Sequence, residues 1–391
     1  MASKFPYSRQ KIDNSDILSV TRVLKSDFLT QGPKSKEFEK KLSSFSGAKY
    51  VSAVNSATSG LYLACRALGL KKNDYAWTTP NTFVSSANCI INCGAKVDFV
   101  DIDKDTFNID IELLEKKLKK TDKKKIPKIV IPIHFAGCPY DQKKLFKLSK
   151  KYKFKIIEDA SHAIGAKNNG QKVGNCKWSD FVIYSFHPVK IITTGEGGAV
   201  LTNNKDLFEK VNILKTHGIT RNPNFMKKNN KSYWYYEQID IGYNFRISDI
   251  HAALGISQLK KINKYIGDRN FIAKFYKKIL KELPVRLQKI NSRYISSYHL
   301  FVIKMINIKN IKNYDKIFNY LRKKKIFVNL HYLPVHKQPF YRKIKYLRNK
   351  KFEKSEEYSK SALSLPIYPG LSKKNIKYIF NELKFALNKF K

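Results

Sequence analysis

Lys155-Ile156-Ile157-Glu158-Asp159-Ala160-Ser161-His162 and Phe181-Val182-Ile183-Tyr184-Ser185-Phe186-His187-Pro188-Val189-Lys190 are the two stretches on which the fold turns. Each begins as a short apolar run, of the kind that forms a strand buried on both faces of a parallel sheet. Each then delivers a reactive side chain, Asp159 or Lys190, where the strand gives out, and active-site groups of α/β proteins gather at that edge. A lysine amine in apolar surroundings loses its charge readily and can form a Schiff base; a carboxylate can pair with a pyridinium nitrogen. Lys190 has such surroundings, between Pro188-Val189 and Ile191-Ile192. The two together suit pyridoxal phosphate. Singly, Asp159 could cap the next helix, and Lys190 is one lysine among many.

On either side of these stretches, strands alternate with helices from about residue 47 to 205. Tyr50–Val54, Tyr75–Thr78, 96–100, 129–133, 154–157, 181–186 and 199–202 read as strands. Helices are expected through Leu61–Leu68, which Gly69 can cap, and from about Phe83 to Cys93, followed by Gly94. This alternation predicts a mostly parallel sheet with helices on both faces. Around Ile247-Ser248-Asp249-Ile250-His251 the pattern turns helical and is expected to run to about Leu283, before Pro284. Beyond it, 298–305 and 327–330 read as strands and 310–324 and 373–389 as helices, a smaller α+β domain. The expected division is residues 1–260 for the large domain with its N-terminal segment and 261–391 for the small C-terminal one.

Composition narrows the function classes. The chain of 391 residues carries 76 Lys plus Arg against 31 Asp plus Glu, a formal charge of +45. The lysines spread along the whole sequence, and only 11 of the basic residues are arginine, the side chain suited to bidentate phosphate or base contacts. Solvated lysine faces therefore explain the charge better than nucleic-acid binding. Five cysteines, an odd number without zinc-ligand spacing, indicate a reduced cytoplasmic compartment and no metal site. Cys89 and Cys93 are expected on one helix face as small buried side chains. The first eight residues lack the apolar core of a leader, and no apolar run is long enough to span a bilayer.

Several further residues fall at the same predicted sheet edge. Asn55-Ser56-Ala57-Thr58-Ser59-Gly60 lies at a strand-to-helix junction, where small residues let backbone N–H groups approach an anion. An ordinary N-cap is the other use of such residues. Ser185 could donate to a phosphate or simply satisfy nearby backbone. Phe83 could stack on a flat ring, although helical aromatics more often belong to the core. Thr193-Thr194-Gly195-Glu196-Gly197-Gly198 supplies a turn able to pass close to a ligand.

These motifs, with Leu29-Thr30-Gln31-Gly32, Thr194-Gly195-Glu196-Gly197-Gly198, Gly242-Tyr243-Asn244-Phe245-Arg246 and His331-Tyr332-Leu333-Pro334, resemble the DegT family of sugar-nucleotide aminotransferases over nearly the whole chain. The resemblance implies an aspartate aminotransferase-like, fold-type I pyridoxal 5'-phosphate enzyme acting as a homodimer with shared active sites. It implies that Lys190 carries the cofactor and transfers protons, that Asp159 faces the pyridinium nitrogen, and that Phe83 stacks on the ring beside His162. Ala57, Thr58 and Ser185 would hold the phosphate, and Asn244 would reach the phosphate of the neighbouring subunit. Tyr7, the segment Asp27, Phe28, Leu29 and Thr30, and His331 and Tyr332 would approach the nucleotide sugar. The substrates implied are L-glutamate and a UDP-4-keto-6-deoxy-N-acetylhexosamine of the pseudaminic acid route. Alternatives are another keto sugar nucleotide (UDP-bacillosamine or GDP-perosamine type) or a non-catalytic binding protein of the same fold. Family members in which histidine replaces the lysine catalyse dehydration, so Lys190 favours transamination.

Overall fold

The computed structural model describes residues 4–228, 232–306, 308 and 310–390; Met1–Ser3, part of the stretch read for a leader, lie outside the described residues. Its central sheet holds, among these, seven strands: β1 (Tyr50–Val54), β2 (Tyr75–Thr78), β3 (Lys96–Phe99), β4 (Ile129–Ile131), β5 (Lys155–Asp159), β6 (Phe181–Ser185) and β7 (Gly198–Thr202). They lie in the order β1-β7-β6-β5-β4-β2-β3. β3, β2, β4, β5 and β6 run parallel, while β7 is antiparallel to both of its neighbours, so β1 again points the same way as β6. The carboxyl ends of β1, β5 and β6 and the start of β7 therefore share one edge.

Burial explains why these runs are strands. All five residues of β6 and of β7 are buried, as in sheets covered on both faces. One core lies beneath the Ala57–Ala67 helix, with Leu61, Ala64, Ile157, Ile183 and Val200; another forms on the opposite face around Phe38, Val182, Tyr184 and Leu201. Ser56 caps the Ala57–Ala67 helix, its side chain accepting from the Ser59 amide, and Gly69 beyond the C-terminus adopts φ +72°. Cys89 is buried in the first core and Cys93 lies half-buried against it, both as free thiols.

The second half holds an antiparallel sheet, β8 (Val285–Leu287), β9 (Phe301–Met305) and β10 (Ala362–Leu365), paired in that order. Helices Ile311–Lys323 and Lys373–Lys389 share its core through Ile317, Leu321, Ile376, Ile379 and Leu383. Phe5 packs in this same core, and Phe5–Pro6 pairs in parallel with Ile326–Phe327. The N-terminal segment thus tethers to the C-terminal half.

Two expectations need correction. The long helix after Ile247 is two helices, Asp249–Lys260 and Ile262–Ile279, followed by a 3-10 turn at Leu280–Glu282. Lys261 ends the first at φ −101°, ψ −1°, and its amine is drawn aside to Asp13 at 2.9 Å and Asp16 at 2.7 Å. The expected strand over 327–330 stops at Phe327. Asn329 instead makes an isolated bridge to Ser364, and its Oδ1 accepts from the Leu330 amide at 2.9 Å, which turns the chain toward the sheet edge. Among the described residues no helix is long and apolar enough to cross a membrane.

Candidate active site

At the shared strand edge a cavity of about 320 Å³ opens between the central sheet and the C-terminal half. Ten residues expected at the site line it: Tyr7, Ala57, Thr58, Phe83, Asp159, His162, Ser185, Lys190, His331 and Tyr332. They come from six separate segments, so the cavity is a product of the fold and not of one motif.

The phosphate-sized end is built by the start of the Ala57–Ala67 helix. Ser56 takes the amide of Ser59 with its hydroxyl at 3.1 Å and the amide of Gly60 with its carbonyl at 3.1 Å. Ala57 and Thr58 occupy the first turn, where amides have no intrahelical acceptor and the helix dipole favours an anion. Thr58 Oγ1 lies 2.9 Å from Ser85 Oγ, and both residues line the cavity with Ser185. β7 approaches this turn very closely: a Cβ on Gly198 would stand 2.6 Å from the Ala57 nitrogen. The glycine permits the helix start to sit at the sheet edge.

Asp159 ends β5 with both oxygens engaged. Ser86 Oγ donates to Oδ2 at 2.6 Å and the Ser161 amide to Oδ1 at 3.0 Å. Lys190 sits on a short loop after β6, closed at its base where the Phe186 amide donates to the Gly197 carbonyl and the Thr194 amide to the Phe186 carbonyl, at 2.9 and 3.0 Å. The Ser8 hydroxyl donates to the carbonyl of Val189, the residue before the lysine, at 2.9 Å. Burial lowers the Lys190 amine to about 8, partly opposed by the charge of Asp159. An amine near that value is neutral often enough at physiological pH to act as a nucleophile.

Three imidazoles surround this amine. His162 and His299 pack with their rings tilted by 42° and centroids 4.4 Å apart, and Tyr7 packs edge-on against His331 at 4.8 Å. Burial, reinforced by the charge of Lys190, drives all three histidines below their ordinary range, His331 to about 3. They are neutral at pH 7 and serve as hydrogen-bonding and stacking surfaces. Phe83 is 57 % exposed at the cavity rim, its ring 6.1 Å from that of Tyr332, so it is a wall residue and not part of the core. The His331–Tyr332 peptide bond is cis.

Asp27, Phe28, Leu29, Thr30 and Asn244 lie outside this cavity. Thr30 bridges to Ser248, and the Leu29 carbonyl accepts from the Asp249 amide, which fixes the segment on the neighbouring helix and leaves Phe28 54 % exposed. Asn244 is exposed and bridges to Thr216. His299, Ser85, Ser161, Asn329 and Glu196 also line the cavity, although the sequence reading does not single them out. For Glu196 the glycine turn around it is a usable signal. His299 is brought in only by packing of the C-terminal half.

The residues present fit pyridoxal phosphate by their chemistry: orphan amides and hydroxyls at one end, a buried carboxylate at another, and a neutralisable amine between them. Comparison with known proteins bears on the same point. The model of the DegT/DnrJ/EryC1/StrS aminotransferase family matches residues 10–384. The chain is 39% identical over 386 residues to the UDP-4-amino-4,6-dideoxy-N-acetyl-beta-L-altrosamine transaminase of Campylobacter jejuni, covering 98% of each chain. The solved structure of Helicobacter pylori PseC, an aminotransferase involved in the biosynthesis of pseudoaminic acid, superposes with a TM-score of 0.90 at 31% identity, covering 99% of this chain and 100% of that one. The pyridoxamine phosphate (PMP) form of the sugar aminotransferase Spr1654 from Streptococcus pneumoniae gives 0.90 at 27% identity, covering 99% and 100%.

Proposed function

The chain belongs to the DegT/DnrJ/EryC1/StrS aminotransferase family, and from that premise we propose that it aminates a UDP-4-keto-6-deoxy-N-acetylhexosamine with nitrogen from L-glutamate. The product of that reaction is UDP-4-amino-4,6-dideoxy-N-acetyl-beta-L-altrosamine, an intermediate toward pseudaminic acid. The observation that carries the reading is the meeting of Lys190 and Asp159 in one cavity at the carboxyl edge of the sheet. The likeness to the Campylobacter transaminase and to PseC supports the choice of sugar.

Pyridoxal phosphate, when bound, supplies the electron sink that stabilises a carbanion next to the transferred nitrogen. The side chains of this protein do the rest. Amides of Ala57 and Thr58, with the hydroxyl of Ser185, hold the phosphate. Asp159 keeps the positive charge on the ring nitrogen, and Phe83 and His162 confine the ring. Lys190 Nζ would take the α-proton from the amino donor in the first half of the cycle and deliver a proton to the sugar carbon in the second, so that one amine serves as base and acid in turn. Tyr7, His331 and Tyr332 approach the sugar.

We assign a homodimer to the active form, with Asn244 reaching the cofactor phosphate of the partner subunit and Asp27, Phe28, Leu29 and Thr30 contacting substrate near that boundary. Half-exposed Phe28 and Leu29 and the exposed Ile241 and Tyr243 beside Asn244 supply the apolar surface such a contact needs. Unbridged thiols at all five cysteines suit the cytoplasmic compartment we assign.

The test is the visible absorption spectrum of the purified protein before and after L-glutamate, followed by mass spectrometry of products from UDP-, GDP- and dTDP-linked keto sugars. A band that bleaches with glutamate and a UDP-linked amino sugar as the preferred product are expected. Preference for a GDP- or dTDP-linked sugar would overturn the substrate assignment, and absence of any band after incubation with the cofactor would overturn the reading of the site.

A further inference from the structure

We propose that Ser86 is a positioning residue for this reaction: with Thr82 it fixes the carboxylate of Asp159 in the orientation that meets the ring nitrogen of the cofactor. The inference rests on the role assigned to Asp159 above.

Ser86 Oγ lies 2.6 Å from Asp159 Oδ2 and 2.9 Å from Thr82 Oγ1. An ionised carboxylate only accepts, so the proton on Ser86 points to Asp159; the Ser86 oxygen must then accept from the Thr82 hydroxyl. The direction of the chain Thr82 to Ser86 to Asp159 is thereby set by chemistry. Ser86 is fully buried, Thr82 is 2 % exposed and Asp159 is 6 % exposed, so water does not compete for these partners. A buried serine in the first turn of a helix ordinarily satisfies nearby backbone. Here its hydroxyl instead reaches across to another strand end and to a group that lines the cavity.

The carboxylate is consequently held at both oxygens, by Ser86 at Oδ2 and by the Ser161 amide at Oδ1. Rotation about its terminal bond would break both hydrogen bonds, so the lone pairs left over keep one direction. The adjacent residue, Ser85, faces the other way and meets Thr58 at the phosphate end. Two consecutive hydroxyls at the start of the Ser85–Asn92 helix thus set the spacing between the phosphate cradle and the carboxylate. Lys190 and Tyr332 are the titratable groups that respond to Asp159, and His162, His299 and His331 respond in turn to Lys190.

The experiment uses the cofactor-loaded protein and follows its visible band against pH. Ser86→Ala removes a donor from the carboxylate and frees it to turn, so more of its negative charge acts on the lysine-linked nitrogen, which becomes more basic. The midpoint of the band should therefore move upward by about half a pH unit or more, with the cofactor still bound. Ser86→Thr should restore the midpoint to within about 0.2 unit, and Thr82→Val, which keeps Ser86, should shift it the same way by less. Turnover in Ser86→Ala should fall by about tenfold in kcat with KM for the keto sugar within about twofold. A Ser86→Ala titration that superposes on that of the parent, or no restoration by threonine, would overturn the inference alone. A parent protein without any cofactor band would overturn it together with the assignment of Asp159 and Lys190. Should Ser86→Ala not fold, an unshifted midpoint in Thr82→Val decides against the proposal.

Discussion

Tyr332 Oη lies 3.1 Å from His162 Nε2, joining the C-terminal half to the loop after β5 across the mouth of the cavity. The direction of this hydrogen bond follows from its neighbours. The Ala136 amide donates to His162 Nδ1 at 3.3 Å, so the neutral ring carries its proton on Nε2. Burial keeps the imidazole neutral. Tyr332 must then accept from His162, and its own proton is free to point at a ligand in the cavity. Burial and the nearby charge of Asp159 raise the phenol, so it remains a donor at any working pH. Tyr332→Phe should lower kcat/KM by about 10- to 100-fold, a loss of 1.4 to 2.7 kcal/mol in transition-state binding. The buried His162 N–H loses its acceptor as well, so thermal unfolding should register a loss of about 1–3 kcal/mol. Steady-state kinetics on the variant would show whether the hydroxyl is used.

Gly198 offers a test of the phosphate end that leaves every reactive group in place. A methyl there would meet the Ala57 nitrogen at 2.6 Å, the Ser56 carbonyl carbon at 2.7 Å and Ala57 Cα at 2.9 Å, all of them backbone. Neither β7 nor the helix start can yield without opening the sheet edge. Gly198→Ala should weaken cofactor binding by at least about tenfold, consistent with the roughly 1–3 kcal/mol of a local overpacking. Gly267 lies within the Ile262–Ile279 helix, and a methyl added there would meet nothing within 4 Å, so Gly267→Ala should bind normally and be stabilised by about 0.5–1 kcal/mol. Titration of the cofactor into both apo variants separates the effects.

Much of this arrangement is legible in the sequence, and the reason differs by residue. β1 and β2 have the expected limits because a buried strand followed by a polar turn is a local signal. Asp159 and Lys190 are legible because strand ends of a parallel sheet share an edge, so two such ends predict a meeting in space. The break at Lys261 is not, since the residues its side chain pairs with there, Asp13 and Asp16, lie far away in sequence. His299 and Ser86 stay hidden for the same reason as Lys261. Their partners are tertiary, and nothing in their immediate neighbours distinguishes them from ordinary buried residues.

The amine of Lys190 gives the site a pH dependence with a definite sign. Burial depresses it from the ordinary lysine value to about 8, and the charge of Asp159 limits the fall. Capture of the cofactor requires the neutral amine, which is then about a tenth of the population at pH 7 and about nine tenths at pH 9. The rate at which apo protein develops the visible band should therefore rise by roughly tenfold over that range, with a midpoint near 8. Stopped-flow mixing at a series of pH values measures it. A rate still climbing steeply above pH 10 would mean that the amine is solvated. Lys190→Ala should form no covalent band and no product while keeping the native circular dichroism.

Arg269 shows how strongly the site depends on a residue that never enters it. It is fully buried, and no carboxylate lies within salt-bridge distance among the described residues. Its guanidinium donates instead to the carbonyls of Tyr298 at 3.1 Å, His299 at 3.3 Å and Ile367 at 2.9 Å, and to the Ser8 hydroxyl at 3.2 Å. The Ser8 hydroxyl in turn donates to the carbonyl of Val189, beside Lys190. One side chain thus ties the His299 corner, the chain after β10 and the N-terminal segment to the loop of the reactive lysine. An apolar replacement leaves the carbonyls of Tyr298, His299 and Ile367 without this donor where water has little access. Each costs about 1–3 kcal/mol, so Arg269→Met should lose at least about 3 kcal/mol of stability even after local relaxation. Arg269→Lys keeps a cation but not the fork, and should recover only part of the loss. Urea unfolding at fixed protein concentration measures both variants. If Arg269→Met unfolds at the same urea concentration as the parent, the guanidinium is not the anchor of this corner. If it is, cofactor capture in Arg269→Lys should slow by a larger factor than its stability falls, because the lysine loop is the segment released.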